Sequence, residues 1–72
     1  MSDLEARLLA AHARGDRRAL VQLYTEAADT APDPDAAGFY LTHAYVYALE
    51  QGDPAAVSLR ARLVSAGREQ DD

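Results

Sequence analysis

One stretch of the sequence, residues 39–49, limits the possible folds more than any other, because it is apolar on two sides when it is drawn as a helix. One side carries Leu41, Ala44, Tyr45 and Ala48 at helical spacing. The opposite side carries Phe39, Tyr40, His43, Val46 and Tyr47. A surface helix of a small domain needs only one apolar stripe to face the core. The second side must therefore be covered by the rest of this short chain or by another molecule.

Two Gly-Asp pairs mark predicted turns between helices. Glycine tolerates the left-handed conformation that ends a helix, and aspartate accepts hydrogen bonds from the free N–H groups that begin one. The two pairs are Gly15-Asp16 and Gly52-Asp53. We expect a helix before and after each pair. The first of these helices begins beside Ser2 and Glu5, which match a capping box.

A proline-containing connector separates the two predicted hairpins. Pro32 and Pro34 are incompatible with the interior of a regular helix, but Pro34 suits the first turn of the next helix with Asp33 as its cap. We therefore expect an all-α fold of four antiparallel helices, arranged as two stacked helical hairpins or a compact four-helix bundle. The expected organisation is one domain over residues 1–72, with hairpins at about 3–30 and 35–67, the connector at 31–35 and a polar tail at 68–72.

Length, cysteine content and charge exclude several classes of function. A chain of 72 residues forms one domain at most and buries only about 60% of its unfolded surface, so it could gain from a partner, although many domains of this size fold unaided. The absence of cysteine excludes a disulfide framework and a thiolate metal site. The formal net charge of −5 disfavours binding to nucleic acid and to anionic membranes. Because neither a transmembrane run nor a signal peptide is evident, we expect a cytoplasmic protein.

The two halves of the chain echo each other, because Gly15-Asp16 recurs 37 residues later as Gly52-Asp53. A repeat of this length is typical of helical repeat proteins. The first unit resembles the tetratricopeptide repeat family at Leu4, Gly15-Asp16, Ala19, Tyr24, Ala27 and Pro32, and the second at Leu41, Gly52-Asp53 and Ala56. The chain departs from the family pattern at Leu8, Ala11, Tyr45 and Ala48. The resemblance implies a scaffold that binds proteins or peptides and has no catalytic residues.

The second side of the third helix is the predicted contact face, defined as Phe39, Tyr40, His43, Val46 and Tyr47. Phenylalanine and tyrosine supply rigid apolar area, and the tyrosine hydroxyl keeps a polar tip for the rim of an interface. The alternative is a central third helix that packs on helices 1 and 2 along one stripe and on helix 4 along the other. Because four short helices cover it incompletely, we expect Tyr40, His43 and Tyr47 to stay accessible or to meet a second copy.

Arg60 is a further candidate for partner binding. Apolar residues bracket it on the fourth helix, so its charge points near the middle of an apolar side: Ala56, Val57, Leu59, Leu63 and Val64. It could hold an acidic group of a partner, or its stem could pack while its head reaches solvent or an internal carboxylate. A second group of arginines clusters near the first Gly-Asp turn and could bind a phosphate or carboxylate, although we favour solvated charge as their explanation: Arg14, Arg17 and Arg18.

Residues typical of catalysis or metal binding are scattered. His12 and His43 are fewer than the three or four ligands that a metal site needs. The acidic residues fit caps and loops, and none has the spacing of a calcium loop. We therefore expect no catalytic residue, no metal and no cofactor.

The sequence favours a non-enzymatic protein–protein interaction module that uses the predicted contact face. Arg60 or the first-turn arginines, which are Arg14, Arg17 and Arg18 at the turn between the first two helices, would orient an acidic segment of the partner. The alternative is a structural homodimer in which the same face self-associates. A third hypothesis is a small ligand bound around His43 and the tyrosines.

Overall fold

The computed structural model describes residues 3–68, and four α helices account for most of them. They are α1 (Asp3–Arg14), α2 (Arg17–Asp29), α3 (Pro34–Glu50) and α4 (Ala55–Ser65). Residues 3–68 contain no strand, so the predicted all-α fold is confirmed. The predicted capping residue Ser2 and residues 69–72 of the predicted tail lie outside the described part of the chain.

Aspartate caps begin α2 and α3. Asp16 Oδ1 accepts a hydrogen bond from the Ala19 N–H at 3.1 Å, and this bond is the main reason why the pKa of Asp16 is lowered. Asp33 Oδ1 accepts a hydrogen bond from the Ala36 N–H at 2.8 Å. Gly15, before the first cap, has a φ of 65°, which glycine adopts without the steric cost of a side chain. Local sequence therefore determines where these helices begin.

The start of α4 differs in detail from the simple cap that the sequence predicts. Asp53 Oδ1 accepts a hydrogen bond from the Ala55 N–H at 2.9 Å, only two residues further on. The Asp53 carbonyl oxygen accepts one from the Ala56 N–H at 3.0 Å, three residues further on. This three-residue spacing makes the first turn tighter than an α-helical turn. The regular helix consequently begins at Ala55, after Pro54.

Each helix packs mainly on its neighbours in the sequence, and α3 has the central position. The α2–α3 contact is the most extensive, followed by α3–α4 and α1–α2. One buried cluster joins α1 to α2 through Ala11, Leu20 and Leu23. A second cluster joins α2, α3 and α4 through Val21, Ala28, Leu41, Ala44, Ala48, Leu59 and Leu63.

The position of α4 decides which side of α3 is covered. Leu59 and Leu63 of α4 pack in the same cluster as Leu41 and Ala48, so α4 shares the first stripe of α3 with α2. The second side of α3 is instead contacted by His12 of α1 and Tyr24 of α2. The arrangement is therefore close to the alternative of a central third helix, with α1 and α2 reaching one side of it and α4 packed on the other. The Cα atoms span only 12 Å in the thinnest direction, compared with 36 and 29 Å in the others. Such a shallow arrangement leaves much of the second side of α3 uncovered by residues 3–68.

Two arginines near the end of the described chain pair with carboxylates at the end of α2 and the start of α3. Arg62 donates a hydrogen bond to Asp29 Oδ1 at 2.6 Å, and Arg68 donates one to the Asp35 carboxylate. Arg68 crosses over Gly38, where an added Cβ would overlap the arginine side chain. Because these ion pairs are exposed, they add little to the free energy of unfolding. Their main effect is to position α4 and the residues after it against the end of α2 and the start of α3.

Truncations on the two sides of α4 should have different effects on stability. Leu63 is 1% exposed and Val57 is 78% exposed. We expect Leu63→Ala to lower the free energy of unfolding by about 2–4 kcal/mol, because it removes buried methyl groups and leaves a cavity. Val57→Ala should change it by less than about 0.5 kcal/mol. Urea unfolding followed by circular dichroism measures both values, and equal losses would contradict this placement of α4.

Candidate functional site

Six aromatic side chains from three helices meet on one side of the protein. The aromatic cluster consists of His12 from α1, Tyr24 from α2, and Phe39, Tyr40, His43 and Tyr47 from α3. Tyr24 is at the centre, with ring centroids 5.1 Å from His43, 5.8 Å from His12, 5.9 Å from Tyr47 and 6.2 Å from Tyr40. The rings of Tyr24 and Tyr47 lie within 13° of parallel. Contacts on several sides thus hold the tyrosines of α3 in place.

The hydroxyl group of Tyr24 links α2 to α1. Tyr24 Oη lies 2.8 Å from His12 Nε2, which is hydrogen-bond distance. Partial burial raises the pKa of Tyr24, and the neighbouring phenols of Tyr47 and Tyr40 raise it further. The pKa of Tyr24 is higher in the folded protein than in the unfolded chain, so the neutral Tyr24 phenol contributes to stability at neutral pH. This contribution is lost as the pH rises above about 10.

His43 is held in one orientation by its surroundings. Its Nδ1 lies 2.9 Å from the carbonyl oxygen of Phe39, one turn earlier in α3. A carbonyl oxygen only accepts hydrogen bonds, so Nδ1 carries the hydrogen and Nε2 is the other nitrogen through which the ring can contact a partner. The ring lies between those of Tyr24 and Phe39, with centroid distances of 5.1 and 4.4 Å.

The predicted contact face divides into an exposed part and a half-buried part. Phe39 is 58% exposed and Val46 is 46% exposed. The other three members are half-buried and belong to the aromatic cluster around Tyr24: Tyr40, His43 and Tyr47. The most accessible part of the face therefore lies at Phe39 and Val46, and not at the three residues for which we expected accessibility.

Leu49 extends the exposed apolar side of α3 towards the end of the helix. It is 55% exposed, and together with Phe39 and Val46 it forms what we call the exposed α3 ridge. Val46 is seven residues after Phe39, so the two side chains lie nearly in line along the helix. Leu49 lies about 60° further round, because three residues fall short of one full turn. The ridge is thus a row of exposed apolar side chains along the outer side of α3, with Thr42 and His43 between Phe39 and Val46.

A shallow hollow of about 250 Å³ lies beside the ridge near the end of α3. Its lining residues are Thr42, His43, Val46, Tyr47 and Glu50. Most of this lining is methyl groups and ring atoms, and Glu50 supplies a carboxylate. Within residues 3–68, Glu50 takes part in no ion pair, and the last turn of α3 contains no basic residue. The hollow therefore combines apolar walls with one negative charge.

Arg60 lies apart from the other predicted site residues. It lines a different hollow on α4, together with Val57, Ala61, Val64 and Ser65. The buried stripe of α4 is formed by Leu59 and Leu63, and Arg60 follows Leu59 by about 100° of helix rotation. Its charge is consequently on the flank of α4. The structure does not place Arg60 beside the predicted contact face.

The first-turn arginines also lie outside the exposed α3 ridge. Arg14 pairs with Asp16 at 3.4 Å across the α1–α2 turn. Arg18 lines a polar hollow together with Asp53 and other residues of the α3–α4 turn. Both arginines therefore sit among the acidic residues of the helix turns.

His12 and Tyr24 belong to the aromatic cluster but were not among the predicted site residues. The sequence pattern placed Tyr24 in the apolar stripe of α2 and His12 at the edge of α1. Each of them lies on the side of its helix that faces the other, so their mutual contact had a basis in the sequence. No local sequence pattern indicates that His12 and Tyr24 also contact α3, because this contact depends on how α3 packs across α2.

The described residues offer no metal centre and no membrane span. In residues 3–68, no group of three or more His, Asp or Glu side chains is arranged to hold a metal ion. None of the helices in this range is long and apolar enough to cross a membrane. The aromatic cluster and the exposed α3 ridge are therefore the features that we consider as the site.

The raised pKa of Tyr24 predicts a specific result in a phenol titration. Absorbance at 295 nm should show one phenol that ionises at higher pH than a free tyrosine, because its anion would be partly buried beside two other phenols. Tyr24→Phe should remove this late component. Tyr45→Phe is the matched control, since Tyr45 lies two residues before Tyr47 and thus on another side of α3. Persistence of the late component in Tyr24→Phe would contradict the geometry of the cluster.

Comparison with known proteins adds no assignment. The chain matches no protein-family model, no curated protein and no solved structure. The tetratricopeptide repeat resemblance accordingly stays a prediction, and the function has to be inferred from the site itself.

Proposed function

We propose that the protein is a non-enzymatic interaction module that binds another protein through the second side of α3. The observation that carries this proposal is the exposed α3 ridge. Three large apolar side chains, Phe39, Val46 and Leu49, are about half exposed along one strip of a central helix. Large apolar side chains exposed together on one side of a small domain point to an association site, whereas apolar residues exposed singly need no such explanation.

The aromatic cluster supports the proposal because its ordered rings lie next to the ridge and contact Phe39. His43 is held by the Phe39 carbonyl group and by stacking on Tyr24, and Tyr47 is stacked on the same ring. Side chains that are already ordered lose little conformational entropy when a partner binds. A preorganised aromatic base beneath an exposed apolar ridge is therefore well suited to a protein interface.

The chemistry of the cluster favours binding over catalysis. His12 and Tyr24 form a close pair, as a base and a nucleophile would. However, an activated nucleophile needs a lowered pKa, and the pKa of Tyr24 is raised. Its phenol thus stays neutral at physiological pH and acts as a structural hydrogen-bonding group.

The helix order is also compatible with the interaction role that the tetratricopeptide repeat resemblance implies. Each helix packs mainly on its sequence neighbours, as the units of a helical repeat do. Such arrangements use one side of the stacked helices for binding. We therefore propose the second side of α3 as that binding side, with Arg60 outside it.

A homodimer is the second candidate function, and the spacing of the ridge favours it. Phe39, Val46 and Leu49 repeat at intervals of seven and three residues, which is the pattern of a helix–helix seam. Two copies of α3 could therefore pack ridge against ridge. In this case the dimer itself would be the functional unit.

Site-specific crosslinking tests the interaction role. With p-benzoylphenylalanine at position 39, ultraviolet light should attach a discrete partner in cells that express the protein. The same photoreactive residue at position 57 is the control, because Val57 is an apolar residue on α4 that is even more exposed than Phe39. The identified partner, once purified, should bind Val46→Ser at least about tenfold more weakly than the wild type. Identical products at both positions, or unchanged affinity for Val46→Ser, would refute the proposal.

Solution mass distinguishes the module from the homodimer. Light scattering across a hundredfold concentration range should give the monomer mass of 7.8 kDa if the ridge is reserved for another protein. The homodimer predicts twice this mass, and it predicts that Phe39→Ser and Val46→Ser restore the monomer and lower the melting temperature. For the module, both variants should stay monomeric and melt close to the wild type.

A further inference from the structure

We propose that the partner segment that docks on the exposed α3 ridge is an amphipathic helix with a basic flank. One of its lysine or arginine side chains would lie along the hollow beside Val46 and Tyr47 and pair with Glu50. This inference rests on the interaction role proposed above and adds the chemistry of the partner. Its basis is the hollow itself, which combines apolar walls with a single carboxylate at the end of α3 and so matches a side chain with an aliphatic stem and a positive head.

The charges of α3 are all negative. The helix Pro34–Glu50 contains Asp35 and Glu50 and neither lysine nor arginine, in a chain with a formal net charge of −5. Asp35, at its start, is paired with Arg68. Glu50, at its end, takes part in no ion pair within residues 3–68. The acidic group that is available to a partner is thus the one that borders the hollow.

The position of Glu50 strengthens its preference for a cation. Glu50 is the last residue of α3, where the helix dipole is negative and the final carbonyl groups lack intrahelical partners. The negative end of the helix dipole repels the Glu50 carboxylate. A cation placed there is attracted both by the carboxylate and by the dipole. A bound lysine or arginine would therefore relieve an unfavourable charge arrangement in the free protein.

The shape of the hollow suits a long basic side chain. Thr42, Val46 and the ring of Tyr47 form its walls, and Glu50 lies at one border. Lysine and arginine bury their aliphatic stems on apolar surface while the charged head finds a polar group. The ring of Tyr47 can also attract the cation through its face. Arg18, a nearby basic group of the chain itself, lines a separate hollow with Asp53.

The ridge also indicates the conformation of the segment. Phe39 and Glu50 are eleven residues apart in one helix, so the ridge and hollow together extend for roughly 16 Å. A partner helix of about the same length can place apolar residues one turn apart on the ridge and a basic residue at the end beside Glu50. An amphipathic helix therefore satisfies the apolar strip and the carboxylate at once.

The charge pattern argues against two other occupants. A second copy of this chain would present another α3 without basic residues, so its acidic groups would find no counterpart. An acidic segment would need a cation beside the ridge, yet Arg60 lies on α4 and Arg14 is paired with Asp16. Like charges at an interface oppose association, which leaves the basic helix as the favoured occupant.

Two designed peptides test the proposal. Both are capped, fluorescein-labelled helices of 14 residues with identical leucine positions, and they carry either lysine or glutamate at all other positions. Fluorescence anisotropy should show at least about tenfold tighter binding of the lysine peptide to the wild-type protein. Glu50→Gln should weaken this binding about three- to fivefold. Glu26→Gln is the matched control, since it removes the same charge from the α1 side of α2, where Glu26 pairs with Arg7.

The variants separate failure of this inference from failure of the proposed function. If Glu50→Gln and Glu26→Gln weaken binding equally, the lysine peptide is held by the overall negative charge of the protein and not by Glu50. That result would overturn the inference. Equal binding of both peptides, or of neither, would overturn it as well. If Val46→Ser weakens both peptides while Glu50→Gln has no effect, the ridge is a docking surface without the charge preference. If Val46→Ser leaves binding of the lysine peptide unchanged, the proposed function fails too.

Discussion

The packing of α3 against two helices through one narrow stripe is the constraint on which the rest of the structure depends. Leu41, Ala44 and Ala48 are buried in the cluster that also contains Leu59 and Leu63 of α4. The two alanines have small side chains, so the α2 and α4 side chains can approach the same side of α3 closely. Because α4 packs on this stripe, the second side of the helix is left to contacts with Tyr24 and His12, and Phe39 and Val46 remain exposed there. The exposed ridge is therefore a consequence of how the core is built.

Tyr24 imposes a second constraint, since a single side chain of α2 organises residues from α1 and α3. Its ring supports Tyr47 and His43, and its hydroxyl reaches His12. A half-buried phenol needs a polar partner, and the imidazole of His12 provides one. The cluster consequently joins three helices on the outer side, much as the aliphatic cluster joins three helices inside. A proposed binding side that is this strongly interconnected can keep its shape without a partner.

The features that could be predicted from the sequence are the local ones. Asp16, Asp33 and Gly15 act within a few residues of themselves, so the helix boundaries and the all-α fold followed from turn chemistry. The two-sided character of residues 39–49 was likewise visible. Which side would be covered was not, because it depends on the path of α4, which is set by long-range packing. For the same reason the sequence alone reveals neither that Arg60 lies away from the α3 face nor that Tyr24 is at the centre of the aromatic cluster.

The two parts of the proposed binding site would contribute different properties to recognition. Apolar contact on the ridge is non-directional and would accept many helices with a leucine face. Glu50 is directional, and its position at the negative end of α3 makes the free protein less stable than a neutral or basic residue there would. A residue that costs stability and has no ion-pair partner within residues 3–68 calls for an explanation outside the free fold. Selection among apolar partners by one charge provides that explanation, because repulsion of acidic helices gives specificity where buried area alone gives only affinity.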